Sequence, residues 1–300
     1  MNIYDIIIIG GGPAGLTAAV YALRANKRVL VMEKGTFGGQ ITSSPKVENI
    51  PGFISVSGNE FADKLMEQAI ELGADIECLE ALGIEDGKVK KVITDDGDYY
   101  AKAVIIAAGT RHRLLGLDKE EDFIGNGISF CAVCDGAFYK DKTVAVIGGG
   151  NSALQEAILL SESCERVYLI QNLPYFTGEE RLIENIKAID NLIPLTDSVV
   201  TALHGTDFLT GITIRTGEAH QDIALDGMFT AIGLIPQLEP FNSLINVNSY
   251  GYADSDESCT TNAEGIFVAG DCRSKRIRQV ATAVSDGAIA ALGAVDYIKQ

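Results

Sequence analysis

The sequence predicts an α/β protein of two Rossmann-like, three-layer ββα-type dinucleotide-binding domains, the second inserted into the first. Three observations predict it. An apolar strand at residues 4–9 runs into the turn Gly10-Gly11-Gly12-Pro13-Ala14-Gly15. A strand at 143–147 runs into Gly148-Gly149-Gly150-Asn151-Ser152-Ala153. Two later segments, VIIAAGT (104–110) and MFTAIGL (228–234), repeat one pattern of apolar strand, small residues and glycine. A chain of 300 residues has room for two domains.

Each element follows in order. The four isoleucines before Gly10 suit a parallel strand buried on both faces. The glycine turn opens a helix to about residue 23, and residues 28–32 close the first βαβ unit. A helix at 61–72 and a β-meander turning at Asp95-Asp96-Gly97 lead to the strand of 104–110. The second βαβ unit has its helix running to about residue 161 and its next strand at 166–170, followed by a meander over about 198–223. A strand, a loop and a long helix end the chain. Linkers at 111–116 and 236–242 place one domain at 1–113 and 242–300 and the inserted domain at 114–241.

Composition excludes several classes. A net charge of −17 argues against nucleic acid and anionic membrane as partners. No apolar run approaches the roughly 18 residues of a membrane span. Asp5 interrupts any secretion signal, and six cysteines in so long a chain form no disulfide framework, which points to a reducing cytoplasm.

A glycine turn alone is weak evidence for a ligand, because such turns also serve close packing. The first one follows a buried strand, opens a helix, and has Glu33 at the end of the next strand. Gly10, Gly12 and Gly15 let backbone approach a pyrophosphate, the helix start at Pro13-Ala14 adds partial positive charge, and Glu33 accepts a ribose hydroxyl. CAVCDG (131–136) places two thiols three positions apart. Without a second such pair, and with only three scattered histidines, no metal site is expected; redox chemistry or buried inert thiols remain.

GGQI (38–41), VENIPG (47–52), VIIAAGT, CAVCDG, FVAGDCR (267–273) and RQVATAVSDG (278–287), in that order, resemble the low-molecular-weight thioredoxin reductases over essentially the whole chain. The resemblance implies FAD, held by the glycine turn and Glu33 together with Gly39, Gln40, Asn49, Gly109, Thr110, Gly270, Asp271, Arg278, Gln279 and Val280. Gln40 and Asn49 would lie along the flavin, Asp271 on the ribityl chain, and Gln279-Val280 against the isoalloxazine. It also implies a homodimer that reduces thioredoxin. Cys134 would face the flavin, Cys131 would attack the partner disulfide, and Asp135 would handle the proton of the leaving thiolate.

The second module departs from that pattern. Gln171 occupies the position of Glu33, and the family's HRRxxxR reads Gln171, Asn172, Leu173 and, later, Thr177, with Glu179-Glu180 following. A 2′-phosphate needs guanidinium or ammonium groups, and these acids repel it. The next cation, Arg181, is expected on the following helix, paired with a glutamate. The module is therefore expected to keep its fold without a pyridine nucleotide. NADPH held by other residues and NADH on the retained turn stand as alternatives. A flavin accepts single electrons, so ferredoxin is the expected donor, in line with a subgroup described as ferredoxin-dependent. Arg273, Lys275 and Arg276, near Arg278, Arg111 and Arg113, supply the basic patch expected to dock it. A flavin-dependent dithiol oxidase and a flavin redox sensor are the rival readings.

Overall fold

The computed structural model describes residues 3–44 and 47–300. They fall into two compact units, Met1–Arg111 with Ile235–Gln300, and His112–Leu234.

The first unit opens with β1 (Ile3–Ile9), α1 (Pro13–Arg24) and β2 (Val29–Met32), then α2 (Gly58–Glu71), β3 (Asp75–Glu77), β4 (Ala81–Glu85), β5 (Lys90–Thr94) and β6 (Gly97–Ile106). Its sheet runs β3-β2-β1-β6-β5-β4. The strands β1, β2 and β3 and the end of β6 are parallel, whereas β4, β5 and β6 form an antiparallel meander. Ile6, Ile7 and Ile8 are fully buried. They alternate between two cores, one under α1 and one on the opposite face, so a continuous apolar run is what this strand needs.

After the short strand β7 (Thr110–His112), the second unit contains β8 (Ile128–Ser129), α3 (Ala132–Asp135), β9 (Thr143–Ile147), α4 (Asn151–Ser161), β10 (Arg166–Ile170), α5 (Glu180–Lys187) and β11 (Leu192–Leu195). A meander of β12 (Ser198–Gly205), β13 (Leu209–Thr216) and β14 (Ala219–Ala224) leads to β15 (Gly227–Thr230). The parallel sheet runs β11-β10-β9-β15-β8, and the meander forms a separate antiparallel sheet. VIIAAGT and MFTAIGL hold equivalent places: β6 lies beside β1 as β15 lies beside β9.

The chain leaves the second unit at β16 (Leu234–Pro236), and the first unit resumes at Ile235, ahead of the expected residue 242. Leu238 and Phe241 explain the difference, since both are buried against the β1–β6 core. The strand β17 (Ile266–Val268) then pairs with β6, and α6 (Val280–Lys299) packs on α1.

Candidate active site

In the first unit the turn after β1 is shaped by close backbone approach. Gly10 has φ +111°, and a Cβ there would stand 2.3 Å from the Ala107 carbonyl oxygen. A Cβ on Gly15 would stand 1.9 Å from the Gly10 oxygen, so only glycine brings α1 this close to the strand. Pro13 occupies the first turn of α1, where its missing N–H costs no helical hydrogen bond. Glu33 is fixed at the mouth of this turn: its Oε2 accepts from the Gly11 N–H at 2.8 Å and its Oε1 from Gly35 N–H at 2.8 Å.

The other expected flavin residues of this unit line up in pairs. The Gln40 amide donates to the Thr110 carbonyl and hydroxyl oxygens. Asn49 Nδ2 donates to Gln279 Oε1 at 3.1 Å, and Gln279 caps α6 just before Val280. Gly39, Gly109 and Gly270 all have positive φ, with Gly270 opening the short turn that carries Asp271. The Asp271 Oδ1 is buried and paired with Lys275 Nζ at 3.2 Å, and burial raises its pKa against the pull of that cation. A glycine cradle at a helix start, a carboxylate at the end of β2 and a buried carboxylate on the turn opened by Gly270 together fit a flavin dinucleotide.

The expected docking patch is corrected here. Arg273 is 4% exposed and clamps Asp286 through two 2.8 Å hydrogen bonds. Lys275 also points inward, 3.0 Å from Asp286 and 3.2 Å from Asp271. Arg278 lies over the Tyr252 ring and donates to the Asp271 carbonyl oxygen. Of the expected patch, Arg276, Arg111 and Arg113 are exposed. The physical reason Arg273 and Lys275 turn inward is Asp286, a carboxylate held inside an apolar helix, which cannot stay charged there without cations. Its solitary place in VATAVSDGAIAALGAV was the available signal.

In the second unit Cys131 and Cys134 form a disulfide across α3, with Cα atoms 5.3 Å apart. Cys131 is the N-cap of that helix, and the Cys134 N–H points at its sulfur at 3.2 Å. Asp135 follows in the same turn. Its Oδ2 accepts from Ser129 Oγ at 2.7 Å, and that oxygen accepts from the Cys131 N–H at 3.2 Å. Burial raises the Asp135 pKa against the pull of Ser129, and its Oδ1 has no hydrogen-bond partner among the described residues. Ser129 was not expected; a serine two residues before the first cysteine is too common a pattern to stand out. Cys164, Cys259 and Cys272 are buried free thiols, and burial pushes Cys272 up to about 11, which leaves it unreactive. Among the described residues no cluster of side chains suits a metal ion.

The second glycine turn repeats the first. Gly148 has φ +137°, and a Cβ there would stand 2.5 Å from the Ala231 oxygen, as Gly10 stands to Ala107. The turn borders a cleft of about 710 Å³ whose lining includes Gln171, Asn172 and Thr177, with Arg113 its one cation. Gln171 is 5% exposed, lies against Gly149, accepts from Asn172 N–H at 3.1 Å and donates to the Tyr175 carbonyl at 3.3 Å. Its polar atoms are thus spent inside its own loop. Glu179 accepts from Asn151 Nδ2 at 3.0 Å and donates its N–H to Asn151 Oδ1 at 2.7 Å, which fixes a carboxylate at the first residue of α4. Arg181 lies on α5 as expected but makes no ion pair with a glutamate among the described residues.

A paired glycine-cradle architecture with a redox-capable cysteine pair defines the class of flavoprotein disulfide oxidoreductases. Comparison with known proteins places the chain within it. The pyridine nucleotide-disulphide oxidoreductase profile matches residues 4–287. A thioredoxin reductase of Bacillus subtilis is 39% identical over 306 residues, spanning 100% of this chain and 96% of the relative. A Clostridium pasteurianum protein, described as a 34.2 kDa protein in a rubredoxin operon, is 40% identical and covers 98% of this chain and 97% of its own. The crystal structure of thioredoxin reductase from Streptococcus pyogenes superposes with a TM-score of 0.92 at 38% identity, covering 99% of this chain and 98% of that one. The chain belongs to the pyridine nucleotide-disulphide oxidoreductase family, among its low-molecular-weight thioredoxin reductases.

Proposed function

We propose that this thioredoxin reductase takes its electrons from reduced ferredoxin and passes them through FAD and Cys131–Cys134 to thioredoxin, without NADPH. The observation that carries the reading is the furnishing of the second glycine turn. Gln171 is bonded within its own loop, Glu179 stands at the helix start, and neither Asn172, Leu173 nor Thr177 offers a charge. A hydrogen bond to a charged group contributes about 1.5–3 kcal/mol. Two such contacts missing from a 2′-phosphate weaken binding by about 10²–10⁴-fold. The Clostridium relative is named for a rubredoxin operon, and rubredoxin is a one-electron iron protein.

FAD, when bound, supplies the reducing electron pair that the disulfide accepts and can be charged one electron at a time. Gly10, Gly12, Pro13, Ala14, Gly15 and Glu33 would hold its adenosine and pyrophosphate. Gly39, Gln40, Asn49, Gly109, Thr110, Gly270, Asp271, Arg278, Gln279 and Val280 would hold the remainder. Once the S–S bond opens, the Cys131 thiolate attacks the thioredoxin disulfide and forms a mixed disulfide. Cys134 displaces it, re-forms the internal bond and releases thioredoxin as a dithiol. Asp135, held by Ser129 and with its pKa raised by burial, gives a proton to the leaving sulfur.

The protein is proposed to act in the cytoplasm, as a homodimer; four free cysteines beside the redox pair suit a reducing compartment. The intact cleft favours one second reading, NADH in place of ferredoxin. Anaerobic thioredoxin reduction with ferredoxin, NADPH or NADH as the sole donor separates them. Turnover with ferredoxin alone is expected, and turnover with either nicotinamide would overturn the proposal.

A further inference from the structure

One screened carboxyl has no part in that scheme. Glu156 lies on α4 one turn before Leu160, on the face that packs against α3. A Cβ on Gly136 would stand 3.1 Å from Leu160 Cδ2, and the backbone N–H of Ala132, which follows Cys131, pulls the Glu156 pKa down. The residue is part-exposed, but its Oε2 is shut off from solvent and has no hydrogen-bond partner among the described residues. Ala132, Leu154, Ala157 and Leu160 make the surrounding layer apolar. Burial pushes the Glu156 pKa up to about 7 against the pull of the Ala132 N–H.

The titratable groups on the elements around α4 are few. The α3 side brings Asp135 and Tyr139, besides the cysteine pair itself. From α5 come Glu180, Arg181, Glu184 and Lys187, all exposed; β10 brings Arg166, exposed, and Tyr168; β9 and β11 bring none. Cys164 is a buried thiol just beyond α4. On the packed face the cysteine pair and Asp135 are therefore the groups whose charge can change with reduction.

We infer that Glu156 is a positioning residue that stores a proton beneath the redox pair, binding it when the disulfide opens and releasing it when the disulfide re-forms. This rests on the reading of Cys131 and Cys134 as the redox pair. Two electrons enter the S–S bond from the reductant and the bond breaks. One sulfur takes a proton through Asp135 and leaves as a thiol, while the other remains a thiolate. The Glu156 carboxylate takes one further proton from solvent, so the packed layer gains no net charge. On reoxidation both protons depart with the electron pair.

The sign of the pH effect follows from linkage. In the oxidised protein burial raises the Glu156 pKa to about 7. A thiolate close by makes loss of its proton harder, so the reduced protein keeps the proton to higher pH. Between the two values reduction takes up one extra proton, and the midpoint potential falls more steeply above pH 7 than below it.

The test equilibrates the full-length holoprotein anaerobically with mixtures of reduced and oxidised dithiothreitol across that pH range. Thiols are trapped by alkylation and read on the Cys131–Cys134 peptide by mass spectrometry. Wild type is expected to show the bend, and Glu156→Gln to lose it. Parallel curves for the two proteins would overturn the inference. Should Glu156→Gln not fold, redox-induced infrared difference spectra of wild type serve instead. Reduction above pH 7 should then add a protonated-carboxyl band, and its absence would overturn the inference equally. A pair that never cycles between disulfide and dithiol defeats the redox reading itself, a result distinct from parallel curves.

Discussion

Single side chains set the chemistry of each module. Glu33 and Gln171 occupy matching strand ends, and one oxygen replaced by NH₂ separates a group that only accepts from one that must also donate. That contrast was legible in the sequence because both residues follow their glycine turns at the same spacing. Returning the cations should reverse the consequence. The residues Asn172, Leu173 and Thr177 are exposed, so the triple variant Asn172→Arg, Leu173→Arg, Thr177→Arg is expected to bind NADPH about 10²-fold more tightly or better by titration calorimetry. No gain would show that the missing charges do not limit binding. At the redox pair, Asp135→Asn should lower turnover by about 10²–10⁴-fold, the usual scale for a lost proton donor. Ser129→Ala removes the hydrogen bond that draws the Asp135 pKa down, so the alkaline limb of the pH–rate profile should move to higher pH. An unmoved limb would detach Asp135 from the proton step. The role of Ser129 was not legible, because it depends on β8 delivering a hydroxyl to a carboxylate that the sequence separates from it.

Elements decide which of these residues can act. Helix α6 meets α1 so closely that a Cβ on Gly287 would stand 2.1 Å from the Ala14 carbonyl oxygen. Gly287→Ala is therefore expected to lower the melting temperature and to weaken flavin retention on dilution, since it pushes α6 off the start of α1. The same helix carries Asp286, whose two cations were read from sequence as a surface patch. A run of basic residues in a loop looks solvated until its partner is known, and here the partner lies on the following helix. Burial alone would raise the Asp286 pKa, but the hydrogen bonds from Arg273 and Lys275 outweigh it and hold the group below its ordinary 3.8. A carboxyl with a folded pKa below its unfolded one stabilises the fold above the unfolded value. That contribution disappears as pH falls through the folded value. Asp286→Asn should cost about 3–5 kcal/mol at neutral pH and flatten the acid dependence of stability below the ordinary carboxylate range. A variant as stable as wild type in denaturant titrations would contradict this account of the cluster.

For the whole molecule, sequence periodicity was enough to place both βαβ units, both meanders and the inserted order of the chain, because each rests on local spacing. The return to the first unit came earlier than expected, since Leu238 and Phe241 join a core assembled from β1, β2 and β6. Pairings across long stretches, such as Asn49 with Gln279, needed the fold. The central claim concerns the route of electrons through the molecule, and the flavin's own colour reports it. The oxidised holoprotein, mixed anaerobically in a stopped-flow spectrophotometer, is to be offered NADPH, NADH or reduced ferredoxin in turn. Bleaching of the flavin band by ferredoxin alone is the predicted result; rapid bleaching by NADPH would contradict the account.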